Sequence, residues 1–251
     1  MNTRSSKILP HIVAVVVFML ISAFYFPSMF QGKELRQSDI AGYKGAAKEI
    51  VDYREETGDE ALWTNSMFSG MPAYLISMKA PNNILSPVFR ALNFDGGRPA
   101  VFIFLYLIGF YILLLLFGVN PWLSIAGSIA YGFSSYFFII LEPGHITKAL
   151  ALGYMPMIVG SVYYTFRKDF ITGGILTSIF VGLQLIANHF QITYYTLLIL
   201  LIFGVYELIR VIKDKEYTGF VRAIGVLIVA VIISVSVNIV NFWSVMEYSE
   251  Y

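Results

Sequence analysis

Apolar residues fall in seven long blocks along this chain, at about 9–30, 100–118, 122–141, 149–166, 171–187, 190–209 and 223–242. Each block is long enough, at helical rise, to cross a hydrocarbon core. The pattern predicts an all-α, polytopic integral membrane protein whose spans are joined mostly by short turns. One segment breaks it. Residues 31–99 separate the first span from the second and carry about half of the formal charges.

This polar insert has its own periodicity. From 39 to 56 apolar residues recur at Ile40, Tyr43, Ala47, Ile50 and Val51, a helical spacing. The opposite face carries Lys44, Lys48, Glu49, Asp52, Glu55 and Glu56. Ser38 or Asp39 is placed to cap this helix, and Gly58 with Asp59 to end it. Residues 62–74 are apolar and aromatic, interrupted by Gly70 and Pro72, and too short to span; they are expected at the bilayer interface, where Trp and Tyr partition. A second amphipathic helix is predicted over 84–92, and 93–99 turn the chain into the second span. No internal repeat is visible, which removes the support an inverted-repeat transporter would need. The sequence stops just after the seventh span and reads as the N-terminal part of a longer protein.

Lysine and arginine set the expected orientation. Arg4 and Lys7 precede the first span, Arg167 and Lys168 lie between the fourth and fifth, and Arg210, Lys213, Lys215 and Arg222 between the sixth and seventh. All three groups fall on one side if every span crosses, so that side is expected to be cytoplasmic, with the N-terminus. The insert and the turns at 142–148 and 188–191 then share the outer face. The first span is read as uncleaved, because Tyr25, Phe26 and Pro27 stand where a signal peptidase needs small residues.

Composition agrees: mean hydropathy is +0.70, with 57% hydrophobic and 13% charged residues, outside the soluble globular range. A net charge of +1 without a basic, aromatic-interleaved cluster gives no reason to expect nucleic acid. The absence of cysteine excludes disulfides and thiolate chemistry.

The candidate chemistry sits on the outer face. Asp39 opens a helix nine residues past the first span; it can be a general base, or simply an acid favourable to the helix dipole. His145 and Lys148 lie three apart at the start of the fourth span, with Pro143 in its first turn. A cation there opposes the dipole and calls for an anion, whether a bound phosphate, the neighbouring Glu142 or a lipid headgroup reached by snorkelling. Asn188, His189 and Gln191 form the turn between the fifth and sixth spans, as a plain hairpin or as ligand contacts. Gln184, Asn238 and Asn241 are polar within spans, where helix–helix bonding is the ordinary role. Three histidines do not make a metal site, since His11 is on the other side and no third ligand accompanies His145 and His189. A hard-cation pair of Asp39 with Glu142 stays open.

With those residues in place, the chain resembles the YfhO-like bacterial membrane proteins, themselves similar to GT-C-class glycosyltransferases that use polyprenyl-phosphate sugars. The resemblance rests on Ser38-Asp39 after the first span, the aromatic Gly/Pro stretch 62–74, the run Pro143-Gly144-His145-Ile146-Thr147-Lys148, and Asn188-His189-Phe190-Gln191. It runs over essentially all 251 residues, and members of the family are considerably longer. It implies a bacterial plasma-membrane enzyme with Asp39 as the acidic residue of the first outer loop that acts on the acceptor or sits beside it, as a base. Tyr43, Asn65, His145, Lys148, Asn188, His189 and Gln191 are then the substrate-binding candidates. The partners implied are a polyprenyl-phosphate-linked sugar, membrane lipid, and an extracytoplasmic glycan, glycolipid or protein acceptor. No resident cofactor is implied; relatives that use a divalent metal carry two adjacent acids, where this chain has Ser38. A lipid or solute transporter and a non-catalytic envelope assembly subunit are the competing readings. The first should place ionisable residues at mid-membrane, and the second needs the insert only as a docking surface.

Overall fold

A computed structural model describes residues 3–27, 31–77, 83–93 and 99–248. The turn expected at 94–98, the last positions of the first span at 28–30 and the chain end at 249–251 lie outside the described residues. The chain is an all-α, multi-pass membrane protein. Among the described residues five helices are long and apolar enough to cross a membrane, or six if one bent pair counts as a single span.

The long helices are α1 (Thr3–Tyr25), α5 (Pro99–Leu116), α8 (Ile146–Arg167), α10 (Phe190–Asp214) and α11 (Tyr217–Val237). The insert contributes α2 (Ser38–Ala46), α3 (Lys48–Thr57), a hairpin of β1 (Trp63–Thr64) with β2 (Met71–Pro72), and α4 (Ser86–Leu92). The bent pair is α6 (Pro121–Gly132) with α7 (Ser135–Leu141); α9 (Phe170–Ile186) is a shorter apolar helix, and α12 (Ile239–Tyr248) closes the chain.

The centre of the bundle is α8. About 72% of its most apolar window is buried in protein, against 17% for α10 and α11, whose apolar surfaces are mostly left uncovered by the protein. Lipid tails provide no hydrophobic drive between helices, so close packing must come from small residues and internal hydrogen bonds. Gly109 of α5 faces the carbonyl of Gly153 on α8 with no room for a Cβ. At Gly153 a Cβ would stand 2.5 Å from Leu105, and at Gly160 it would stand 3.1 Å from Leu113 Cα. Polar staples join the same helices. Buried Gln184 donates to the Ala151 carbonyl (2.9 Å) and to Thr196 Oγ1 (3.1 Å), tying α9 to α8 and α10. Asn238 donates to the Gly182 carbonyl at 3.2 Å and accepts from Asn83 at 3.0 Å, so helix–helix bonding is its role.

Several boundaries differ from the pattern, each for a local reason. The third block bends by 52°. Gly132 packs directly on Leu107, and Ser134, with ψ 131°, leaves helical geometry to start α7. The seventh block is divided at Asn238, whose side chain also bonds Ser234 O one turn back. The helix expected over 39–56 is two helices joined at Ala47, and the cap expected at Ser38 or Asp39 is not made: Gln37 holds the N-cap position. Pro143 precedes α8 rather than sitting in its first turn, and His145 is the N-cap.

Candidate functional site

The polar insert is fastened to the bundle where α2 begins. Gln37 is buried, and its side-chain amide donates to the Leu141 carbonyl at the end of α7. The Asp39 N–H, one of the donors a helix start leaves without an intrahelical partner, bonds the Pro143 carbonyl at 3.0 Å. Between them Gly144 takes φ +97°, and a Cβ there would stand 3.0 Å from both Gln37 Cβ and Ile40 Cγ1. Glycine is needed at this turn on both counts: the dihedral disfavours L side chains, and the start of α2 fills the space.

This docking brings Asp39 onto His145. Their Oδ2 and Nδ1 atoms are 2.6 Å apart, with both side chains about half exposed. Among the described residues Asp39 Oδ1 has only a long contact from Ser38 Oγ, at 3.5 Å. One helical step from His145, Lys148 extends over the Tyr136 ring, its Nζ 5.4 Å from the centroid. Among the described residues Lys148 makes no ion pair, with Glu142 or with any other acid. Thr147 Oγ1 lies 3.2 Å from His189 Nδ1, which joins the 142–148 turn to the α9–α10 turn. His189 Nε2 is buried without a hydrogen-bonding partner among the described residues. Burial, and then the positive charges of Lys148 and His145, hold the His189 pKa below its ordinary 6.5.

These groups line one cleft of about 1240 Å³ at one end of the bundle. Asp39, Tyr43, His145, Lys148, Asn188, His189 and Gln191 all contribute to its wall. Asn188 makes the tight turn there at φ +52°, and Gln191 donates to Tyr195 OH at 2.8 Å. Asn65 is not among the lining residues. It belongs to the hairpin loop, where its backbone N–H and that of Ser66 each bond Glu49 Oε2 at 3.0 Å, and Thr64 Oγ1 donates to the same oxygen at 2.5 Å. These bonds, the Thr64 hydroxyl first, hold the Glu49 carboxyl below the usual carboxylate range. The cleft also recruits Tyr74, Ser77, Asn241 and Ser244, which the sequence pattern did not single out for a site. Their elements are remote in sequence and meet only through the fold.

The opposite end of the bundle holds a charge cluster that the pattern also missed. Glu207 is fully buried and is bracketed by Arg167 (2.7 Å) and Arg210 (3.0 Å). The Glu207–Arg210 spacing was legible as a helical pair, but Arg167 arrives from a different helix. His11, expected away from the cleft, bonds Tyr111 OH at 2.9 Å.

Among the described residues no three His, Cys, Asp or Glu side chains are grouped so as to hold a metal, and Asp39 pairs with His145 rather than with Glu142. What the cleft brings together is a carboxylate–imidazole pair, the ammonium groups of Lys33, Lys44 and Lys148 without ion pairs among the described residues, a second imidazole whose Nε2 is buried without a partner, and a helix start. That set can take a proton from a hydroxyl and receive an anion beside it. Comparisons with protein-family models, with curated proteins and with solved structures found no match.

Proposed function

We propose that this cleft transfers a sugar from a polyprenyl-phosphate donor to a hydroxyl acceptor on the outer face of a bacterial plasma membrane. The observation that carries the reading is the Asp39–His145 contact of 2.6 Å, set one helical step from the unpaired Lys148. His145 occupies Oδ2 and fixes the carboxylate, leaving Oδ1 to accept the acceptor's proton. The acceptor oxygen bonds to the anomeric carbon, the bond from that carbon to the phosphate oxygen breaks, and the phosphate leaves with the electron pair. In this reading Lys148 and the first-turn N–H groups of α8 take up the charge that develops on the phosphate. Attack opposite the leaving group inverts the anomeric centre. The resemblance to YfhO-like and GT-C proteins supports the same assignment, and the positive-inside count supports the outward orientation.

A transporter is disfavoured by the position of the charges: the cleft groups and the Glu207 cluster sit toward opposite ends of the bundle rather than midway. The test is transfer of labelled sugar from a polyprenyl-phosphate donor to membrane acceptors by the full chain in liposomes. Asp39→Asn keeps size and shape but cannot act as a base, and is expected to abolish turnover in protein that still inserts. Lys148→Met is expected to weaken donor affinity roughly ten- to a hundredfold, the loss of one charge-assisted hydrogen bond. Turnover retained by Asp39→Asn would leave the insert as a docking surface. Impermeant labelling of a single cysteine at Ser66 on intact cells checks the side.

A further inference from the structure

The cleft is chemically two-sided, and only one side is used by the donor. The cleft face of α2 carries Asp39, Ile40, Tyr43 and Lys44. Asp39 and Tyr43 are four residues apart, so they are neighbours on that face, about 5–6 Å between Cβ atoms. Beyond Asp39 in one direction lie His145 and Lys148; in the other lies Tyr43. The lining continues through the turn after β2, with Tyr74 and Ser77, and through α12, with Asn241 and Ser244, which packs against that turn.

The polar atoms of this second half are of a different kind. Tyr43, Tyr74, Ser77, Asn241 and Ser244 are neutral, with the Lys44 ammonium beside them; Tyr43 bonds Ser77 and Ser244 donates to the Val240 carbonyl at 2.8 Å, which leaves Tyr74 and Asn241 open. Tyr43 OH donates to Ser77 Oγ at 3.2 Å, which fixes the ring while half of the residue stays open. The Asn241 amide and the Tyr74 hydroxyl have no hydrogen-bonding partner among the described residues. A fixed aromatic ring, a second tyrosine and a free carboxamide around one space suit a polyhydroxylated ring: its C–H face lies on an aromatic face, and its hydroxyls take the amide and phenol. A lipid tail would leave the Asn241 amide unsatisfied, at a desolvation penalty.

We propose that the half of the cleft walled by Tyr43, Tyr74, Asn241 and Ser244 is an acceptor subsite, and that it takes a sugar ring of a glycan. The inference rests on the reading that Asp39 receives the acceptor's proton. A ring seated on Tyr43 presents a neighbouring hydroxyl one helical turn away, at Asp39 Oδ1.

The experiment is binding of the full chain, in nanodiscs, to immobilised oligosaccharides prepared from bacterial envelopes, with no donor present. Binding is expected, reduced about tenfold or more in Tyr43→Ala and in Asn241→Ala, one lost contact each of the usual size. Tyr43→Phe, which keeps the ring, should retain most of it, and Lys148→Met, on the donor side, should retain all of it. Equal thermal midpoints of the variants exclude unfolding as the cause. The proposal is overturned by absence of oligosaccharide binding, by binding that survives both alanine variants, or by equal binding of a serine-containing peptide or a hydroxylated lipid. Glycan binding that persists while no sugar leaves the polyprenyl-phosphate donor overturns the transfer reading alone. Transfer to a peptide or lipid, without glycan binding, overturns the subsite alone.

Discussion

Replacing Gly144 by alanine tests the joint between the insert and the bundle, and Gly58 provides the control. Both glycines have positive φ, +97° and +79°. At Gly58, the left-handed C-cap of α3, a Cβ meets nothing within 4 Å, so Gly58→Ala carries the dihedral cost alone, about 1–2 kcal/mol. At Gly144 the same cost is joined by a Cβ 3.0 Å from Gln37 Cβ and Ile40 Cγ1, atoms close to the α2 backbone that cannot swing away. Overpacking of this kind adds about 1–3 kcal/mol. If α2 lifts to relieve it, the Gln37 bond to Leu141 and the Asp39 N–H bond to Pro143 are strained together. Gly144→Ala is therefore expected to cost about 2–5 kcal/mol, roughly 2–4 °C in melting midpoint for each kcal/mol. The assay is thermal unfolding of both variants in the same detergent, followed by 15N-imidazole resonances to report the His145 environment. Only Gly144→Ala should shift the His145 signals, because only it parts Asp39 from His145. Equal midpoints for the two variants, with His145 unmoved in both, would refute the claim that this turn is packed against α2.

At the other end of the bundle, Glu207→Ala leaves Arg167 and Arg210 without their buried partner and is expected to destabilise by about 3–5 kcal/mol in thermal unfolding. Loss of less than half of that would mean the arginines find lipid phosphates instead. His189 gives a pH dependence of fixed sign. Its pKa in the folded chain is lowered below the ordinary 6.5 by burial and by Lys148 and His145. Its contribution to stability is thus present above pH 6.5 and lost as pH falls through the lower folded value. Melting midpoints between pH 7.5 and 5 should fall more in the wild type than in His189→Gln, and parallel profiles would show that the imidazole is not held neutral.

Much of the architecture was legible because lipid makes its own demand on sequence: a spanning helix must be apolar over its whole length, and that is visible without partners. The breaks were not. Asn238 reads as one polar residue in an apolar run, yet it ends α11 because its amide reaches Gly182 O on a different helix. Gly132 reads as a tolerated helical glycine until Leu107 is placed against it. In both places tertiary contact decides a local geometry that propensity leaves open.

The site divides in the same way. Residue types and a shared face were enough to single out Asp39, His145, Lys148 and His189, because a cation at a helix start and an acid after a membrane exit are each locally unusual. Their pairing was not legible. Sequence spacing couples His145 to Lys148 and leaves Asp39 alone; the fold instead couples Asp39 to His145, at 2.6 Å, through a turn that glycine makes without strain. The consequence is chemical. A lone carboxylate in the insert could serve as a helix-dipole partner anywhere along the membrane surface. A carboxylate with one oxygen held by an imidazole and the other turned to a cleft with a free lysine has a defined lone pair and a defined neighbour. Asn65 makes the converse point. Its residue type suggests a ligand contact, but its backbone serves the Glu49 clamp of the hairpin loop, away from the cleft wall. Side-chain identity proposes chemistry; the hydrogen bonds already made in the fold determine which of those groups are left to perform it.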